Sequence, residues 1–319
     1  MPIITYNHEN FIRQALDGIL MQETNFPYEI IIGEDCSTDN TRKIAAEYAN
    51  CYPEKIQLIT SESNVGIIQN SVRTVEACQG KYFAFCEGDD YWIDPLKLQK
   101  QVDFMEKHKD YGMIHTDVHY YLQEQGKMIK NYNKTNSIKF PSGKIFSEFL
   151  AGHFFIKTAT VMVRRELFLQ AFNHELFEQN KWVVTDHAIW LDIAANSKIW
   201  YLDETTATYR LLEESISRTR DPKKKHAFHK SIYGIKFYFW EKYSRDKEIK
   251  AKLDKDYHLM LLGDAFNMRD RKLAKQAFSF FKHSKVSLPI KQKLKYWSLK
   301  NKVVNNLFDI AIKLKKHFK

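Results

Sequence analysis

The chain has 319 residues, of which 44% are apolar and 14% aromatic, enough to bury a large core, and this composition excludes intrinsic disorder. Its 7 Pro and 11 Gly are too few for a collagen-like or low-complexity chain, a β-sandwich is not expected, and 4 Cys without a CxxC spacing suggest reduced cytosolic thiols, not a disulfide scaffold or zinc site. The net charge of +10 conceals a split, because residues 1–219 carry 22 basic and 30 acidic side chains and residues 220–319 carry 27 basic and 9 acidic.

The first 115 residues alternate short β-like runs with helical patterns. IIT (3–5) precedes ENFIRQALDGILMQ, in which Phe11, Ile12, Ala15, Leu16, Ile19 and Leu20 recur at helical spacing. YEIIIGEDCS reads as a second strand, and TDNTRKIAAEYANCY as a helix opened by capping Asp and Thr residues. KIQLITS, VGIIQNSVRTVEACQG and KYFAFCEGDD complete a β-α-β-α-β-α-β series. Such alternation predicts an α/β domain with a mostly parallel central sheet, helices on both faces, and ligands at the carboxyl ends of the strands.

Residues 116–219 are less regular, with a strand expected at 159–163 and a helix around 186–196. From about 222 the pattern is helical, over 226–243, 256–268, 270–283 and 290–317, and GDAFNMRDRKLAKQAF resembles one helix-turn-helix unit. Pro222, Lys223, Lys224 and Lys225 mark the expected boundary between a domain at 1–219 and a helical basic region at 220–319. No run of about 18 uncharged apolar residues occurs, and MPIITYNHENF lacks a basic segment followed by an apolar one, so neither membrane spanning nor export is expected.

All four strand ends are polar: Thr5-Tyr6-Asn7-His8, Glu34-Asp35-Cys36-Ser37, Ser61-Glu62-Ser63-Asn64 and Glu87-Gly88-Asp89-Asp90. In the last, three carboxylates crowd within four residues and repel one another unless a cation is present. Hard oxygen donors suit Mg²⁺ or Mn²⁺, and Mg²⁺ is ordinarily held by one or two carboxylates plus substrate phosphates. A solvated turn that caps the next helix gives the same local sequence. EDCSTDNT likewise reads as strand, turn and capped helix, but an inward Asp35 needs a hydrogen-bonding partner, which a ligand N–H such as a pyrimidine imide supplies.

ITYNHENFIRQALDGILMQ, YEIIIGEDCSTDNT, NVGIIQN and CEGDDYWIDPLKLQKQVDFM, in this order, resemble the family 2 glycosyltransferases, which have the GT-A fold. The resemblance covers about residues 3–217 and is poorly specific for substrate. It implies that Thr5, Tyr6 and Asp35 hold the nucleotide base, and that Asn64 and Gly66 approach the ribose and phosphates. The family's D-x-D element appears as Glu87-Gly88-Asp89, implying Asp89, with Glu87, as ligands of a Mg²⁺ or Mn²⁺ that bridges the diphosphate, and Asp90 extends the cluster.

VVTDHAIWLDIAANSKIWYLDETTATYR resembles the segment that carries the family's catalytic base, which places Asp186 in that role. In an inverting transfer this carboxylate takes the acceptor hydroxyl's proton. Asp186 as a simple N-cap gives the same sequence, and Asp192 is the weaker candidate base. His187 reads as a surface or packing residue, Trp92 as core or as a wall of the sugar pocket, and Phe154, Thr158 and Thr160 enter a strand that by resemblance flanks the acceptor. Tyr209-Arg210 and Ser215-Ile216-Ser217 match the family's closing element, except that Leu212 stands where a His is common. Met1-Pro2 falls where related chains have further residues, so a natural start upstream is expected.

Residues 288–319 set an apolar series, Trp297, Val304, Leu307, Ile310, Ala311 and Leu314, among lysines. Two readings stand: peripheral contact with an anionic membrane, fitting a lipid-linked acceptor, or packing on the catalytic domain with lysines in water. Nucleic-acid binding lacks any accompanying motif. The expected activity is a cytoplasmic, metal-dependent, inverting hexosyltransferase, peripheral on the inner face of the plasma membrane. It moves a sugar from a nucleoside diphosphate sugar, of which a UDP-sugar is the leading candidate, to a glycan or lipid-linked acceptor in surface polysaccharide synthesis. A catalytically silent nucleotide-sugar-binding or scaffold protein is the alternative, and a sugar-nucleotide pyrophosphorylase lacks its Gly-rich, Arg-containing loop after the first strand.

Overall fold

The structure is a computed structural model that describes residues 1–213, 215, 218–284 and 286–301. Its chain divides into two compact units, one comprising 1–180 and 185–213, the other 181–184 and 214–319. Ile216, Ser217 and the apolar positions from Val304 onward lie outside the described residues.

The first unit opens with the alternation expected from the sequence: β1 (Pro2–Thr5), α1 (Ile12–Leu20), β2 (Ile30–Glu34), α2 (Thr41–Cys51), β3 (Ile56–Ile59), α3 (Ile67–Ala77) and β4 (Tyr82–Ala84). Strands β1, β2 and β3 pair in parallel in that order, with Thr5 opposite Glu34. Burial explains the register, since all five residues of β2 are buried and α1 turns Ile12, Ala15, Leu16 and Ile19 into the same core. Helix α3 approaches β2 so closely that a Cβ on Gly33 would lie 1.9 Å from Thr74 Oγ1, so only glycine fits there. Asn70 Nδ2 donates to the Gly33 carbonyl at 2.8 Å.

The unit continues through β5 (Tyr91–Trp92), α4 (Lys97–Lys107), β6 (Tyr111–Leu122), β7 (Lys127–Ile129), α5 (Tyr132–Thr135), α6 (Phe146–Leu150), β8 (Met162–Arg164), α7 (Arg165–Ala171), α8 (His174–Gln179), α9 (Thr185–Asn196) and β9 (Lys198–Leu211). Here the parallel expectation gives way. The second sheet runs β4-β8-β6-β9-β5, with β7 on β6, and only β6 and β9 are parallel. The strand expected at 159–163 is a 3₁₀ turn at Thr158–Thr160 followed by β8.

Trp92 is core, 2% exposed, and its Nε1 donates to the Ala159 carbonyl at 2.9 Å, so it does not line a sugar pocket. Lys97 is buried beside it, its Nζ 4.7 Å from the ring centre and bonded to Gln101 Oε1 and the Thr160 carbonyl. Burial pushes the Lys97 ammonium down to about 7.

The second unit is helical: α10 (Pro222–Phe239), a π-helical turn Trp240–Ser244, α11 (Lys247–Met268), α12 (Arg271–His283) and α13 (Ile290–Lys300). Asp221 caps α10 and Pro222 occupies its first turn, so the Pro-Lys run opens a helix. Asp264 Oδ1 and Oδ2 accept from His229 and His226 between α10 and α11. A core of Leu261, Leu262, Phe266, Ala277 and Phe281 receives Leu288, Tyr296 and Leu299. No described helix is long and apolar enough to cross a membrane.

Candidate active site

The carboxyl ends of β1 and β2 are adjacent, and the Asp35 N–H donates to the Thr5 carbonyl at 3.0 Å. Thr5 is buried, and its Oγ1 lies 3.2 Å from His8 Nδ1, while Tyr6 stays exposed at 41%. Asp35 does not wait for a ligand as the sequence suggested. Its Oδ1 accepts from Val65 N at 2.7 Å and its Oδ2 from Gly66 N at 3.0 Å. The partner that a buried carboxylate requires is the loop thirty residues downstream, and a base imide can use only the remaining lone pairs. Gly66 has φ 85° at the start of α3, and Asn64 Oδ1 also accepts from its N–H at 3.1 Å. Thr5, Asp35, Asn64 and Gly66 therefore form one continuous polar rim.

Glu87-Gly88-Asp89-Asp90 follows β4 and passes over β1. A Cβ on Gly88 would meet His8 Nδ1 at 2.5 Å and Thr5 Oγ1 at 3.0 Å, which brings the acidic loop onto the first strand end. Glu87 Oε2 and Asp90 Oδ2 are buried without a hydrogen-bond partner. Burial pushes Glu87 up to about 8, reinforced by the charges of Asp89 and Asp186, and raises Asp90 well above the usual carboxylate range, reinforced by Asp89 and Glu87. Burial lowers His8, against the opposing charges of Asp89 and Asp39. Asp90 Oδ1 accepts from the Arg210 N–H at 2.7 Å, and Arg210 Nε donates to the Asp89 carbonyl at 2.8 Å.

Asp186 stands in the first turn of α9, not at its N-cap. Its Oδ1 accepts from His187 N at 2.7 Å and its Oδ2 from Thr158 Oγ1 at 3.2 Å. Thr158 and Asp186 both lie close enough to Glu87 to act on its carboxyl, Thr158 lowering its proton affinity and the charge of Asp186 raising it. Burial raises the Asp186 carboxyl, against His187 N, Thr158 and the charge of Lys157. Asp192 is also buried, six residues further along α9, and His187 packs edge-on against Phe149. No spacing in the sequence singles out Lys157. Its Nζ sits 4.5 Å from the Tyr209 ring centre and 5.6 Å from that of Tyr120, in the field of Asp186, Asp90 and Glu87.

The donor chemistry fits a hard divalent cation, since two buried carboxylate oxygens lack partners and the acids raise one another's proton affinity. Among the described residues no three His, Cys, Asp or Glu side chains close on one metal position, so a cation here needs oxygens from its substrate. Cys36, Cys51, Cys78 and Cys86 are free thiols.

Against known proteins, the sequence model that matches is Glycosyl transferase family 2, over residues 3–170, more than half of the chain. This chain belongs to that family. An uncharacterised protein of Mycobacterium tuberculosis is 33% identical over 242 residues, 75% of this chain and 62% of its own length, so the chain spans about three fifths of that relative. The putative teichuronic acid biosynthesis glycosyltransferase TuaG of Bacillus subtilis is 28% identical over 217 residues, 68% of this chain and 80% of TuaG. Among solved structures, S. aureus TarS 1–349 in complex with UDP-GlcNAc superposes with a TM-score of 0.55 at 16% identity, covering 93% of this chain and 78% of that one. The mannosyltransferase PcManGT from Pyrobaculum calidifontis, in complex with GDP-Man and Mn²⁺, gives 0.57 at 14% identity over 97% and 86%. The family 2 chain thus has the GT-A fold, with a helical C-terminal region.

Proposed function

We propose that this family 2 chain is an inverting, metal-dependent hexosyltransferase. It moves a sugar from a nucleoside diphosphate sugar, with UDP-sugar as the leading donor, to a hydroxyl of a glycan or lipid-linked acceptor in surface polysaccharide synthesis. The observation that carries this reading is that Asp186, held by Thr158 Oγ1 at 3.2 Å and His187 N at 2.7 Å, lies near enough to Glu87 of the acidic loop for its charge to raise that carboxyl's proton affinity. TarS, solved with UDP-GlcNAc, and TuaG, named for teichuronic acid synthesis, support the donor and setting. The enzyme is read as cytoplasmic and peripheral on the inner face of the plasma membrane.

Thr5, Tyr6 and Asp35 hold the base, and Asn64 and Gly66 follow the ribose and phosphates. Asp89 and Glu87 would hold a Mg²⁺ or Mn²⁺, which when bound supplies Lewis-acid stabilisation of the departing diphosphate. Asp186, oriented by Thr158 and His187 N, accepts the acceptor hydroxyl's proton as that oxygen attacks the anomeric carbon. Lys157 contributes positive charge that favours the ionised base. Asp90, with one oxygen on Arg210 N, holds the acidic loop in place.

Calorimetric titration of UDP, GDP and dTDP, with and without Mn²⁺, tests the reading. Micromolar binding of one nucleotide, tightened by Mn²⁺, is expected. Absence of binding to well-folded protein under every condition overturns it in favour of a silent scaffold.

A further inference from the structure

Helix α13 has two apolar faces, and among the described residues only one is packed. Tyr296 and Leu299 are 6% exposed, with Tyr296 stacked on Phe278 at a ring separation of 4.0 Å, so this face completes the helical core. Ile290, Leu294 and Trp297, at i, i+4 and i+7, form a second stripe that is 76%, 38% and 52% exposed. An amphipathic helix that served only to pack would place polar residues there. Lys291 and Lys293 are exposed, and their helical positions fall on opposite sides of the stripe.

The sequence around this stripe determines what can cover it. From Arg271 to Lys319 there are 14 basic residues and one acid, Asp309. Residues 302–319 could supply apolar cover, but they bring Lys302, Lys313, Lys315, Lys316 and Lys319 against a lysine-edged stripe. A second copy would bring the same lysines. An anionic, partly apolar surface meets both demands together, because it accepts the stripe into its interfacial region while its headgroups pair with the flanking ammonium groups. Trp suits that boundary, having an apolar body and one N–H donor.

We propose that the Ile290, Leu294 and Trp297 stripe of α13 is a seat for a bilayer surface bearing anionic lipid headgroups. This rests on the peripheral placement proposed above and specifies the residues that make it. Tyr296 and Leu299 pack on α11 and α12 within the helical unit, whereas Trp297 stays half exposed.

The test is co-sedimentation of the full chain with vesicles of phosphatidylcholine alone and of phosphatidylcholine with 30% phosphatidylglycerol. The parent is expected to bind the anionic vesicles at least tenfold more tightly than the neutral ones, and the binding to weaken with added salt. The combined substitution Ile290→Ser, Leu294→Ser and Trp297→Ser should lower that affinity at least tenfold with an unchanged melting temperature, because these side chains are exposed. Lys291→Gln with Lys293→Gln should weaken binding severalfold and flatten its salt dependence. Unaltered vesicle binding by the triple variant overturns the stripe while leaving peripheral placement standing, whereas no vesicle binding by the parent overturns both. A parent that sediments as a dimer, with the triple variant a monomer and vesicle binding the same for both, makes the stripe a contact between copies and overturns the proposal.

Discussion

Arg210 holds Asp90 and its neighbour at two points: its N–H donates to Asp90 Oδ1 at 2.7 Å, and its guanidinium Nε reaches back to the Asp89 carbonyl at 2.8 Å. The same guanidinium donates to Gln14 Oε1 at 2.6 Å and to Gln123, and lies over Phe11, Tyr91 and Tyr121. Strand β9 thereby holds the acidic loop at a set height above β1. Arg210→Met keeps the length and removes the donors, and should cost about 2–3 kcal/mol of stability. It should also weaken Mn²⁺-dependent nucleotide binding at least tenfold. Chemical denaturation and calorimetry measure the two effects, and unchanged nucleotide affinity would show that loop position does not matter for the donor.

Asp186→Asn should leave nucleotide affinity within about twofold of the parent and reduce transfer by roughly 10²–10⁴-fold, the range ascribed to a positioned general base. Thr158→Val removes the hydroxyl that orients this carboxylate and should reduce turnover less, by roughly tenfold. Single-turnover assays beside equilibrium binding separate the two steps. Equal loss of binding and turnover in Asp186→Asn would move the residue from base to donor ligand.

Asp35→Ala removes the acceptor for two backbone N–H groups, Val65 and Gly66. Leaving Val65 N without a partner, and Gly66 N with Asn64 Oδ1 alone, should cost about 1–2 kcal/mol and loosen the loop before α3, so hydrogen exchange of residues 64–67 should accelerate even without nucleotide. Unaltered exchange would restrict Asp35 to contact with the base.

Lys97 sets a pH dependence. Its folded pKa, about 7, lies below the ordinary 10.5, so between those values the unfolded chain binds a proton that the native state does not. Stability from this group therefore rises with pH across that window. Between pH 7 and 9 the parent should gain about 2 kcal/mol relative to Lys97→Met, which lacks the titrating group. Parallel pH profiles from urea denaturation would refute this.

Apolar periodicity made the β-α-β series legible because each element there obeys one spacing, 3.6 in Ile12, Ala15, Leu16 and Ile19, or a continuous run in Ile30, Ile31 and Ile32. The antiparallel pairing of β4 with β8 joins Tyr82 to Arg164, a separation that no local pattern encodes. The acids of the site were legible as polar residues directly after apolar strands. Their partners were not, since Val65 lies 30 residues from Asp35 and Thr158 lies 28 from Asp186. Lys157 reads as an ordinary polar break within FFIKTATVMV, and only the fold sets it over Tyr209 among three carboxylates.

The tight fit of Gly88 against His8 has an evolutionary reading. Because a Cβ at 88 would strike the imidazole at 2.5 Å and press on Thr5 Oγ1 at 3.0 Å, position 88 is free to drift only together with positions 8 and 5. A lineage that acquires even alanine between its two acids must turn aside or shrink the residue at position 8 and ease Thr5 as well. Aligned homologues should therefore show glycine at 88 wherever histidine stands at 8, a paired signature that can be sought in sequences alone.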